Sequence, residues 1–83
     1  MITTGCHLSG IDYRVDYEVT IAEGLIQYYG TLHTSPPEIF CFIVVEDTGN
    51  VVLFAPNNTE KTIRQKVIDA VRKNQTHAQA IEE

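Results

Sequence analysis

Between Ile11 and Ile21 apolar and polar residues alternate without a break. Ile11, Tyr13, Val15, Tyr17, Val19 and Ile21 take the odd positions; Asp12, Arg14, Asp16, Glu18 and Thr20 take the even ones. Period-2 alternation predicts a strand with one buried face, and the β-branched and aromatic residues suit it. "AEGL" supplies the turn that follows, because Gly24 adopts a positive φ without steric cost. "LIQYYGTLHT" predicts a second strand, with Ile26, Tyr28 and Leu32 on one face and Leu25, Gln27, Tyr29, Thr31 and His33 on the other. Gly30, among the first set, marks a bulge or a close backbone approach.

"SPPE" interrupts the ladder, since Pro36 and Pro37 have no N–H to donate. "IFCFIVVE" resumes it as a third strand, "DTGN" forms a turn around Gly49, and "VVLFA" is a fourth strand. Short connections between consecutive strands favour an antiparallel meander. After Pro56, "NNTEK" opens a helix: Asn57 and Glu60 have capping-box spacing, and Asn58 is the competing cap. Ile63, Val67, Ala70, Val71, Asn74, Ala78 and Ile81 then fall in one stripe at about 100° per residue. Asn74 is the polar intrusion in that stripe.

The expected fold is therefore α+β, a four-stranded antiparallel β-meander with one C-terminal α-helix packed on one face. Within a single domain spanning 1–83, residues 1–10 form an N-terminal arm, 11–55 the sheet and 58–80 the helix. The odd face of the Ile11–Ile21 strand should look at the helix, because such a covering accounts for six apolar residues in register.

The third strand places Ile39, Cys41, Ile43 and Val45 on one face and Phe40, Phe42 and Val44 on the other, so both faces are apolar. Val51 to Phe54 load both faces as well. A single helix covers only one side, and the simplest cover for the second is another copy of the chain. The expected homodimer interface is Phe40, Phe42 and Val44 with, depending on register, Val52 and Phe54. The N-terminal ten residues or the far end of the helix are the competing cover.

Length supports association. A chain of 83 residues is one domain that buries only about 60–65% of its unfolded surface, which leaves little margin of stability. The net charge of −5 is unevenly distributed. Lys61, Arg64, Lys66, Arg72 and Lys73 lie in one segment, while Asp12, Asp16, Glu18, Glu23, Glu38, Glu46 and Asp47 precede it. A basic helix can contact phosphates, but an acidic chain without a second reading element is a poor nucleic-acid binder. Conversely, Asp12, Asp16 and Glu18 share one strand face, where residues recur at about 7 Å, near the phosphate repeat. They form the surface expected of an acidic inhibitor, a nucleic-acid mimic directed at a nucleic-acid-processing protein. A solvated outer face is the simpler account of the same residues.

Catalytic signatures are sparse. The chain has no GxSxG, P-loop, GxGxxG or HExxH pattern. Cys6, His7, His33, Cys41 and His77 lack zinc-finger spacing, so no metal or other cofactor is expected. Cys41 and His33 make a nucleophile–base pair only if neighbouring strands set them opposite, and no third orienting group is visible. Tyr13, Tyr17, Tyr28 and Tyr29 resemble a base-stacking platform, yet Tyr13 and Tyr17 fall on the core face. Two cysteines and no secretory pattern in "MITTGCHLSG" favour reduced thiols and a soluble, cytoplasmic protein. The expected function is a small non-enzymatic protein–protein interaction module that pairs first with itself. The acidic inhibitor is the alternative, and a small-molecule-binding or minor enzymatic domain comes third.

Overall fold

Ile2, Thr4, Cys6 and Leu8 alternate with Thr3, Gly5 and His7, and this segment is a strand rather than an arm. The computed structural model describes the backbone of residues 1–82 and the side chains of residues 1–75. It shows a five-stranded antiparallel meander, not four strands, in the spatial order β1 (Ile2–Leu8), β2 (Ile11–Ala22), β3 (Leu25–Leu32), β4 (Glu38–Val45), β5 (Val51–Ala55). A helix, α1 (Lys61–Glu82), packs on one face. The first strand forms because Ser9 and Gly10 close a two-residue hairpin. Their φ values of 51° and 81° suit the turn whose twist matches paired strands. Leu8 then faces Ile11, and Ile2 faces Tyr17. Glu23 and Gly24, at φ 54° and 78°, close the β2–β3 hairpin in the same way.

Register carries the buried face from strand to strand. Val19 pairs with Tyr28, Tyr28 with Phe42, and Phe42 with Phe54. The row becomes a stack of rings, with centroids 4.7 Å apart for Tyr28–Phe42 and 6.1 Å for Phe42–Phe54. Offset ring pairs at such spacings add stability beyond simple area burial. Cys6, Val15, Tyr17, Leu32, Phe40 and Val44 complete the sheet side of the core, and Val67, Ile68 and Val71 supply the helix side. The odd face of β2 thus does look at the helix through its centre, while Ile11 and Ile21 at its ends are exposed.

This register overturns the expected interface. Phe40, Phe42, Val44 and Phe54 all lie beneath α1, with Phe42 fully buried (0% exposed), so they are core and not an outward surface. Of the five expected interface residues, only Val52 is exposed. The physical cause is pairing: Phe42 sits opposite Tyr28, and Tyr28 opposite Val19, so even residues of β4 share the helix-covered face with odd residues of β2.

Gly30 marks a close approach rather than a bulge. A Cβ there would lie 1.9 Å from the Asp16 carbonyl oxygen, inside any permitted contact. The one register shift in the sheet falls between Ile43 and Val44, opposite β5. Helix α1 begins later than the capping-box spacing implies. Asn57 and Asn58 stay in the loop, where Thr59 donates both its N–H (3.2 Å) and its hydroxyl (2.8 Å) to the Pro56 carbonyl. The turn that brings the chain back over the sheet consumes those residues. Ile68, outside the expected stripe, is buried beside it. Asn74 has a partner for its polarity: its amide donates to the Tyr17 hydroxyl (2.9 Å), which donates in turn to Gln75 Oε1 (3.3 Å). The side chains of His77, Ala78 and Ile81 lie outside the described residues.

Candidate functional site

The face of the sheet away from α1 is built by residues of the other parity. From β1 to β5 it presents Thr3, Gly5 and His7, then Asp12 to Thr20, then Leu25 to Thr31, then Ile39 to Val45, and finally Leu53 and Ala55. Polarity falls steadily along that order. The β1–β2 half is charged, and the β4–β5 half is aliphatic apart from Cys41.

On the charged half each candidate acid has a partner. His7 Nδ1 lies 2.7 Å from an Asp12 oxygen. Asp16 accepts from the Thr3 hydroxyl at 2.8 Å and lies 2.7 Å from His33 Nε2 and 3.4 Å from an Arg14 nitrogen. The Thr3 hydrogen bond, reinforced by His33 and Arg14, holds the Asp16 carboxyl below its ordinary 3.8, since every one of these contacts favours the ionised form. Glu18 accepts from the Tyr29 hydroxyl, which raises that phenol. Asp12, Asp16 and Glu18 are thus on one open face as expected, but they work as three local pairs rather than as a row of free charges.

Asp16, Glu18, Tyr29, His33 and Ile39 also line a shallow concavity of about 400 Å³. His33 and Cys41 do not form a nucleophile–base pair. Cys41 sits opposite Tyr29, and His33 lies four residues beyond Tyr29, just past the end of β3, roughly 13 Å away by strand rise. Cys41 instead accepts from Gln27 Nε2 at 3.6 Å. Cys6 and Cys41 are both free, and the sheet keeps them apart. They occupy opposite faces, with β2 and β3 between their strands, about three strand spacings or 14 Å, where a disulfide requires under 7 Å between Cα atoms. Burial raises the Cys6 thiol above its ordinary value. Among the described residues no three His, Cys, Asp or Glu side chains converge as metal ligands, and His77 lies outside them. Of the tyrosines, Tyr17 and Tyr28 are buried, Tyr13 is half-buried, and Tyr29 alone stands exposed on the open face.

The aliphatic half is the feature that the sequence placed on the wrong parity. Cys41, Ile43 and Val45 are half-buried along β4, Ile39 is 77% exposed, and Leu25 and Leu53 flank them on β3 and β5. These side chains are contiguous, since Leu25 pairs with Val45 and Ile43 with Leu53. Beneath the start of α1, Phe40 and Phe54 line a separate pocket of about 410 Å³ with Leu32, Ile63 and Val67.

No protein-family model, curated protein or solved structure matches the chain. Among the described residues, no helix is long and apolar enough to cross a membrane.

Proposed function

We propose that the protein is a non-enzymatic interaction module that associates with itself through the aliphatic half of its open sheet face. One observation carries this reading: Leu25, Ile39, Ile43, Val45 and Leu53 form a continuous apolar surface across three strands, opposite the face that α1 already covers. The charge gradient supports a second copy as the cover. A two-fold axis lying in the interface, parallel to the sheet and running along β4, lays aliphatic half on aliphatic half and leaves Asp16 and Glu18 in water at the rim. The area is adequate. The molecule measures 34 × 29 Å across its two longer dimensions, so half of one face on each copy buries about 1,000 Å² in total, the lower bound for a specific interface. The acidic-inhibitor reading draws less support, because Asp12, Asp16 and Glu18 already have hydrogen-bonding partners.

Sedimentation or light scattering tests the proposal. The wild type should run at about twice its 9.3 kDa at high concentration and dissociate on dilution. Ile43→Lys and Ile39→Lys should give folded monomers, since both side chains point away from α1. A wild type that stays monomeric throughout, or lysine variants that still pair, would overturn it.

A further inference from the structure

The sheet has two edges, and β5 is the less protected. Among the described residues β5 pairs on one side only, with β4. Natural edge strands are blunted by charge, proline or a bulge. "VVLFA" has neither charge nor proline within it, and Val51, Val52 and Leu53 are all exposed. The bulge opposite Ile43/Val44 is its one irregularity. By contrast, β1 carries Thr3, Thr4, Gly5 and His7.

Beside β5 runs a groove of about 360 Å³, walled by Val51 to Phe54 on one side and by Lys61, Arg64, Gln65, Ile68 and Arg72 of α1 on the other. The floor is apolar, and the helix wall carries three cations in a chain whose net charge is −5. Arg64 is held loosely by comparison with a paired arginine. It donates to the Thr59 carbonyl at 3.2 Å and lies 5.8 Å from the Phe54 ring centroid, while its Nε is buried with no partner. Turning outward onto a carboxylate would relieve that unsatisfied donor.

We infer that β5 and the adjoining wall of α1 form a docking groove for an extended acidic peptide, which adds as a sixth strand. Backbone pairing to β5 supplies affinity, and alternate side chains supply specificity. Acidic residues on the helix side meet Lys61 and Arg64, and apolar residues on the other side continue the face made by Ile43 and Leu53. Charge also selects against self-pairing here, because two β5 edges side by side would bring the cationic walls of both copies together. The groove shares Leu53 with the proposed self-association surface, but its backbone edge and its cationic helix wall lie outside that surface, so peptide binding and self-association are read by different residues.

The probe is a blocked, fluorescent peptide of about seven residues alternating Glu and Val, a length matched to a short strand. Fluorescence anisotropy should show binding that weakens with salt. Exchange of Glu for Gln, or the Lys61→Glu/Arg64→Glu double variant, should weaken it by about tenfold or more, as two lost charge pairs require. Peptide N-methylated at alternate residues should fail to bind in at least one of its two registers, because ladder hydrogen bonds are lost. Amide chemical-shift changes should map to β5. Equal binding of the Glu and Gln peptides, indifference to N-methylation in both registers, or shifts centred elsewhere would overturn the inference. Shifts at Val51 and Val52 on raising protein concentration without peptide, with Ile39 and Ile43 of the open face unmoved, would make a second copy the occupant of the edge, and would overturn it too.

Discussion

Neighbouring residues of β4 should differ sharply in what they contribute to folding, because Phe42 is buried under α1 while Ile43 faces the open side. Phe42 stacks with Tyr28 and Phe54 and lies 6.2 Å from the Phe40 ring. Truncation to alanine removes those contacts and leaves a cavity, a loss of about 3–5 kcal/mol. For 83 residues the whole stability is about 4–12 kcal/mol, so Phe42→Ala takes about a quarter of it or more. Phe42→Leu keeps much of the volume and loses chiefly the ring pairs, about 1–2 kcal/mol. At about 4–8 °C per kcal/mol that lowers Tm by roughly 5–15 °C. Ile43→Thr preserves β-branching on a half-exposed position and should cost under about 1 kcal/mol. Urea unfolding followed by far-UV circular dichroism, in protein dilute enough to be monomeric, measures all three. If Ile43→Thr proved as damaging as Phe42→Leu, the assignment of the two faces would be wrong.

Gly30→Ala should lose at least about 2–3 kcal/mol or fail to fold, since its Cβ would overlap the Asp16 carbonyl and β2 cannot retreat without breaking its pairing; thermal unfolding reads this directly. Tyr17→Phe and Asn74→Ala should each destabilise the protein, and their double-mutant cycle should return a coupling of about 1 kcal/mol for the partly buried hydroxyl–amide bond, against zero if the helix docks without it. Asp16 is held below its ordinary 3.8 in the folded chain by Thr3, His33 and Arg14. Its contribution is thus present above the unfolded value and lost as pH falls through the folded one. Wild type should accordingly exceed Asp16→Asn in stability at neutral pH, and the gap should close in acid below the folded value; a gap independent of pH would refute that account.

Strands β2 to β5, the first long hairpin and the helix are legible in the sequence because each rests on a local rule. Unbroken alternation marked β2, Glu23-Gly24 marked its turn, and the apolar stripe marked α1. β1 was missed although it has the same kind of signal in weaker form. Ile2, Cys6 and Leu8 alternate with polar or small residues, but Thr4 interrupts the apolar set and Gly5 has poor strand propensity. Ser9-Gly10 was the stronger clue, as a two-residue hairpin turn between alternating segments. Likewise Asn57 fits a capping box by spacing alone, whereas the chain uses Asn57 to Thr59 to reverse direction after Pro56.

The misplacement of the open face has a deeper cause. β4 is apolar on both sides, so its own pattern does not say which side α1 covers. That information comes from β2, whose odd residues are apolar and even residues polar, and it reaches β4 only through pairing. From β2 to β3 the transfer is secure, because a two-residue turn fixes which residues face each other. From β3 to β4 it is not: His33 to Pro37 intervene, and a connection of that length and composition permits either parity. A slip of one residue exchanges Phe40, Phe42 and Val44 for Ile39, Cys41, Ile43 and Val45. The cost of the wrong choice becomes apparent only when the rings of Tyr28, Phe42 and Phe54 stack beneath Val67 and Val71. Aromatic residues thus settle the parity by volume. The three rings of that row fill the space under the helix, and the smaller Ile43 and Cys41 are left on the open face.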